Sequence, residues 1–226
     1  MGSARADMLK RTYIRLAQAA PGWLAPGGVF SSAARAPHGW RRWAASLGAI
    51  YHIDRMIALD IPWWNVAATV EIERFLAARP GASVFEYGSG ASTLWLARRA
   101  ARIVSVEHDA AWAEKLSVRL AGKNHVTLLS AGFDHMGDPA LQPYVRAIAP
   151  TGQHDLIVVD GRLRTACLDA AIPHLKTDGL LLFDDSGRSR YRAAIGACGL
   201  AERRLHGLSY CVPYPDSTSL MTHRRG

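Results

Sequence analysis

Val84-Phe85-Glu86-Tyr87-Gly88-Ser89-Gly90, followed at once by Ala91-Ser92-Thr93-Leu94-Trp95-Leu96, is the stretch that decides how this chain of 226 residues is read. Its first half predicts a buried strand over Ser83 to Tyr87, and its second half a helix over Ser92 to Ala101. Two glycines between them leave the backbone bare, so a ligand can approach closely, and the helix that follows presents unpaired N–H groups. Many nucleotide-binding folds share that turn. The dinucleotide fingerprint adds a third glycine as GxGxxG, whereas this chain has Thr93 at that place.

Outward from the loop, short apolar runs alternate with helical patterns from Pro80 onward, as expected of a parallel sheet covered on both faces. The remaining strands are predicted at Ile103 to Glu107, Val126 to Leu129, Asp155 to Asp160 and Gly179 to Asp184, then at Leu200 to His206 and Thr218 to His223. Helices are predicted at Ala110 to Ala121, Pro139 to Ile148, Thr165 to Leu175 and Ser189 to Ala197. Before the sheet, Ala67 to Ala78 and Trp40 to Leu59 read as helices, and Leu9, Tyr13, Leu16, Ala17 and Ala20 mark an amphipathic basic helix over Asp7 to Ala20. The expected fold class is α/β, a Rossmann-like sheet with helices on both faces plus an N-terminal helical arm. Residues 1–60 are assigned to the basic arm and 61–226 to the ligand-binding domain.

Charge placement narrows the ligand. Glu86 stands two residues before the first glycine, where a carboxylate aimed into the loop would repel a pyrophosphate and attract a cation. Val106-Glu107-His108-Asp109 ends the second strand, with Glu107 21 residues after Glu86, and an acid there can accept both ribose hydroxyls of an adenosine. Together with Val159-Asp160-Gly161-Arg162, these residues resemble the motifs of class I S-adenosylmethionine-dependent methyltransferases over roughly Ile61 to His223. The resemblance implies a seven-stranded, mostly parallel sheet with the last strand inserted antiparallel. It also implies S-adenosylmethionine at Glu86, Tyr87, Gly88, Ser89, Gly90, Ser92, Glu107, His108 and Asp160.

Methyl transfer from a sulfonium is an in-line displacement, so the protein must align the acceptor and, where needed, remove its proton. Asp160 and Asp185, at the ends of the fourth and fifth strands, are the candidate bases. Arg162 is the third candidate catalytic residue, and Arg164, Arg188 and Arg190 are further holders of an anionic group. Mg²⁺ is a further candidate cofactor, with Asp160, Asp184 and Asp185 as oxygen ligands in an order that resembles catechol-type O-methyltransferases. Aspartate instead of asparagine at the last of these positions, and the nearby arginines, disfavour it, so no metal site is assigned. Trp63, Trp64 and Asn65 suit either a cover over the site or packing on the sheet, and His135 is a weaker candidate base.

The whole composition sets bounds. With 49% hydrophobic residues the chain can bury one full core. Cys167, Cys198 and Cys211 form no CxxC pair, which disfavours a disulfide framework or a structural zinc site. Of the net charge of +8, most lies before residue 61, where Arg5, Lys10, Arg11, Arg15, Arg35, Arg41, Arg42 and Arg55 face only Asp7, Asp54 and Asp60. The leading expectation is therefore O-methylation of a small molecule or a saccharide in the cytoplasm, with the basic helix as a peripheral membrane contact and a dimer through the arm left open. Alternatives are a membrane-surface or interaction module with a non-catalytic cofactor site, and methylation of nucleic acid. The latter stands lower because the chain has no Asn/Asp-Pro-Pro-Tyr/Phe segment.

Overall fold

The computed structural model describes residues 38–224, and the helix expected over 7–20 lies outside them. Seven strands form one sheet: β1 (Ser83–Tyr87), β2 (Arg102–Glu107), β3 (Val126–Ser130), β4 (His154–Val159), β5 (Leu175–Phe183), β6 (Ala201–Leu208) and β7 (Pro215–Thr222). Their order is β3-β2-β1-β4-β5-β7-β6, with β7 antiparallel to both neighbours and the first five strands parallel. The chain moves outward from β1 to β3 and then returns to β4, so the order reverses between β1 and β4. In open α/β sheets ligands bind at such a switch point, outside the carboxyl ends of the strands.

The central strands are near-continuous apolar runs because both faces are covered. Phe85, Tyr87, Ile157, Val159 and Phe183 point to one side with Tyr144, Cys167 and Leu168, while Val84, Leu156, Val158 and Leu182 point to the other with Trp64, Ile72 and Trp95. The helices are α1 (Trp40–Ser46), α2 (Ile53–Leu59), α3 (Val66–Ala77), α4 (Ala91–Leu96), α5 (Ala110–Leu120), α6 (Pro143–Arg146), α7 (Arg164–Ala171) and α8 (Ser189–Ala197). Local chemistry explains two starts: the Asn65 side chain caps α3 by accepting Ala67 N at 2.9 Å and Ala68 N at 3.2 Å, and Asp109 caps α5 through Trp112 N at 3.1 Å.

Two expected helices are broken. Trp40 to Leu59 divides into α1, a 3-10 turn (Leu47–Ala49) and α2, with Tyr51 at φ 59 between them. Gly48 weakens the helix there, and its carbonyl is taken by Arg55 Nη1 at 2.7 Å. Pro139 to Ile148 divides at Pro143, which lacks an N–H and forces Gln142 to an extended ψ of 139, leaving a 3-10 turn (Pro139–Leu141) and the short α6. Residues 40–59 pack tightly: Ala49, Ile50, Ile53, Met56 and Leu59 share a buried cluster with Leu116, Leu120, Tyr210 and Cys211. Arg98 and Arg99 bind Asp60 at 2.6 and 2.5 Å, and Arg99 also reaches Glu73 at 2.8 Å. Among the described residues no helix is long and apolar enough to cross a membrane.

Phe183, fully buried and paired to Val159, fills the centre of this sheet. Phe183→Ala is expected to lower the unfolding free energy by ~3–5 kcal/mol in chemical denaturation. Val118→Ala, on an exposed face of α5, should stay within about 0.5 kcal/mol of the parent; equal losses in both would contradict this account of the core.

Candidate active site

A cavity of about 590 Å³ opens at the carboxyl edge of the sheet, across the β1/β4 switch point. One side is built from Gly88, Ser89, Gly90 and Ser92, with Glu107, His108 and Trp112. The other carries Asp160, Gly161, Arg162 and Arg164 after β4, Asp184, Asp185 and Arg188 after β5, and Ser209, Tyr214 and Asp216 from the β6–β7 end. Tyr51, Ile53, Met56, Trp63 and Val212 give it an apolar wall. The volume lies in the usual range for a small-molecule or cofactor site.

The glycine loop is shaped by close backbone contact. Gly88 has φ +93, and a Cβ there would stand 2.6 Å from Gly161 Cα. Gly161 in turn lies under the Tyr144 hydroxyl, so neither position has space for a side chain. Gly90 differs: a Cβ would meet nothing within 4 Å, consistent with bare backbone facing the cavity.

Glu86 reaches this loop from behind. It is fully buried and accepts hydrogen bonds from Ser92 Oγ at 2.5 Å, Thr93 Oγ1 at 2.6 Å and Ser105 Oγ at 2.6 Å. Thr93 Oγ1 also accepts Gly90 N at 2.9 Å, and Ser105 Oγ meets Ser89 Oγ at 2.6 Å. The carboxylate expected to face a cation is thus spent on three hydroxyls and does not line the cavity; its role in this geometry is to hold the loop. Tyr87 likewise stays in the core, its hydroxyl donating to Val145 O at 2.7 Å. Ser92 belongs to both settings, bonded to Glu86 while lining the cavity.

Glu107 does face the cavity. Its Oε2 accepts Ser89 N at 3.0 Å, and its Oε1 accepts His108 N at 2.9 Å and Asp109 N at 3.0 Å, which fixes the carboxylate at the end of β2. His108 stacks on Phe133 with ring centres 5.4 Å apart. Trp112 Nε1 donates to Ser89 O at 2.9 Å, tying α5 to the glycine loop. His135, the weaker candidate base, is exposed against Phe133 and lies outside the cavity lining.

At the far side, three acids surround one guanidinium. Arg164 Nη2 binds Asp160 Oδ1 at 2.9 Å, and Nη1 reaches Asp184 O at 2.5 Å, Asp185 Oδ2 at 3.2 Å and Asp184 Oδ2 at 3.6 Å. Trp64 Nε1 donates to Asp160 Oδ2 at 3.1 Å, so of the two adjacent tryptophans one orients a site acid and Trp63 lines the cavity. Thr218 Oγ1 donates to Asp184 Oδ1 at 2.7 Å. These acids do not fit a Mg²⁺ site, because Arg164 occupies the space their oxygens converge on. Burial raises Asp160 to about 6 against the pull of Arg164, and burial with the charges of Asp160 and Asp185 raises Asp184 well above the carboxylate range. Asp185 is held low: burial opposes ionisation, but Arg164, a hydrogen bond from Asp216 and Arg188 outweigh it. Arg162 stands exposed on the wall, and Arg190 lies over the Tyr191 ring, 4.7 Å from its centre. Asp216, Trp112, Ser209 and Tyr51 had no local sequence signal, since only the folded edge of the sheet brings them to the loop, whereas Trp63, one of the residues suited to cover the site, does line it.

The fold recurs among solved methyltransferases. A protein from Staphylococcus aureus proposed as a caffeoyl-CoA O-methyltransferase superposes with a TM-score of 0.55 at 14% identity, covering 79% of this chain and 92% of that one. An rRNA methylase from Streptococcus thermophilus gives 0.51 at 15% identity, covering 68% and 95%. A protein from Escherichia coli proposed as a methyltransferase gives 0.50 at 13%, covering 73% and 91%. The fold is that of the α/β methyltransferases. Residues 85–186 match the family model of a methyltransferase domain, and no curated protein matches the sequence significantly. That match and the fold are consistent with the class I S-adenosylmethionine-dependent methyltransferase superfamily.

The buried Glu86 gives a test of the loop. Burial first, opposed by its three hydroxyl donors, raises it from 4.5 to about 7. A carboxyl held more tightly protonated in the folded state contributes stability that is present below its unfolded pKa and is lost as pH rises through the folded one. Glu86→Gln, which mimics the neutral form, should therefore gain on the parent by about 3 kcal/mol between roughly pH 4.5 and pH 7 in denaturation curves. A stability difference independent of pH would show that Glu86 is ionised in the fold.

Proposed function

We propose that this enzyme methylates a hydroxyl of a small acceptor, a saccharide or another small molecule, held between the acidic strand ends and the apolar wall of the cavity. The observation that carries this reading is the placement of Asp160, Asp185 and Asp216 in one cavity with the glycine loop and Glu107. When bound, S-adenosylmethionine supplies a methyl group on a sulfonium. Gly88 and Gly90 give the cofactor bare backbone, and the fixed Glu107 carboxylate is suited to accept ribose hydroxyls. The carboxyl groups at the other side give a neutral acceptor oxygen groups to which it can lose its proton. Tyr51, Ile53, Met56 and Trp63 exclude water from one flank.

The rRNA methylase likeness bears on the fold and does not supply an acceptor.

Calorimetric titration with S-adenosylmethionine is expected to show binding that falls at least about tenfold in Glu107→Ala, since that change leaves Ser89 N, His108 N and Asp109 N without their acceptor and removes the ribose partner. Full affinity in a folded Glu107→Ala protein would remove the assigned cofactor position. Release of S-adenosylhomocysteine in a screen of hydroxylated small acceptors should be unchanged in excess EDTA; loss that Mg²⁺ restores would overturn the arginine-centred account of the acids.

A further inference from the structure

Asp185 and Asp216 are far apart in sequence but adjacent in the cavity wall. Because β7 runs antiparallel, its opening residues lie at the edge where β5 ends, and the two side chains hydrogen-bond to each other. A bond between two carboxyls requires a proton, and the surroundings say which one holds it. Asp185 meets Arg188 Nη2 at 2.6 Å and Arg164 Nη1 at 3.2 Å, which makes it the ionised partner. Asp216 accepts Ser217 N at 2.7 Å, and among the described residues no ion pair reaches it, so the proton sits on Asp216.

The groups that face Asp216 come from every neighbouring element. Asp184 and Asp185 follow β5 with Arg188, Arg164 opens α7, and Tyr214 precedes it on the β6–β7 connection. His206 on β6 bonds Ser217 Oγ at 3.0 Å, and Asn65 Nδ2 holds the Asp216 carbonyl at 3.2 Å. Burial, then the hydrogen bond and charge of Asp185, push Asp216 up to about 7, so near neutral pH the shared proton is half present.

Resting on the hydroxyl-methylation reading above, we propose that the Asp185–Asp216 pair is the proton-accepting device of the site: Asp216 gives up its proton when a sulfonium cation enters the cavity and receives the acceptor's proton once that charge is gone. The charges balance. An acceptor oxygen lone pair forms the O–CH₃ bond, the C–S bond breaks with its electrons remaining on sulfur, and the hydroxyl proton passes to the Asp216 carboxylate. One positive charge on the donor and one negative charge on Asp216 disappear together, which keeps the cavity's net charge constant through the reaction.

The test needs no acceptor. S-Adenosylmethionine and S-adenosylhomocysteine differ by the methyl group and the sulfonium charge, so each is titrated into the full chain by calorimetry at pH 7 in two buffers of different ionisation enthalpy. A cation a few ångströms away lowers a carboxyl by on the order of one pH unit, so the methylated ligand should release about 0.4 proton more than the demethylated one. Asp216→Asn removes the titrating group, and Asp185→Asn removes the neighbour that keeps Asp216 protonated; both should abolish the difference while the two ligands still bind. Equal proton release in the parent, or a difference of parental size surviving in Asp216→Asn, overturns the assignment of the proton to this pair and leaves the cofactor site standing. Failure of both ligands to bind would remove the cofactor reading and this inference with it.

Discussion

Glu86 is a carboxyl buried beneath a loop that must stay open to a ligand, and the geometry of the site depends on how that carboxyl is satisfied. Its oxygens gather hydroxyls from Ser92 and Thr93 on the helix after the loop and from Ser105 on the adjoining strand β2. Thr93 and Ser105 pass the connection on to Gly90 and Ser89. A carboxyl taken out of water without partners would be costly, so the four side chains must be arranged together or not at all. That arrangement pins a glycine turn which has few side-chain contacts of its own, and it sets the turn against Glu107 on one side and Gly161 on the other.

The opposite wall is built on the same rule with the roles reversed. Here several acids compete for one buried cation, Arg164, and there is not enough positive charge to ionise all of them. Burial favours neutral forms, so Asp184 and Asp216 are pushed up while Asp185, nearest the guanidinium groups, is held low. The result is a region whose charge can change by a proton at little cost near neutral pH. In the proposed reaction a positively charged donor becomes neutral, and a carboxyl pair is better matched to that change than a fixed charge would be.

Much of the scaffold was legible from local pattern. Strand β1 and helix α8 run as read, from Ser83 to Tyr87 and from Ser189 to Ala197, because apolar runs and helical spacing act over a few residues. The helix expected over Pro139 to Ile148 failed at Pro143, whose missing N–H was visible in the sequence but was outweighed by the apolar spacing around it. The ion pairs of Arg98 and Arg99 leave no local pattern, because Asp60 and Glu73, their partners, precede them by 26 or more residues. Glu86 was placed near the right loop and given the wrong neighbours, since nothing in a strand's alternation tells whether a strand-end acid meets a ligand or three hydroxyls.

By itself the sequence determined the class of fold, the glycine turn and the acid at the end of β2, because each is set by residue types a few positions apart. Only the tertiary structure decided which charges meet. Trp64 beside Asp160, Asp185 beside Asp216 and Arg164 among the acids are contacts made across a sheet edge that the antiparallel β7 and the β1/β4 reversal bring together. Protonation in this site depends on burial and on distances between such groups, and neither quantity exists until the chain has folded.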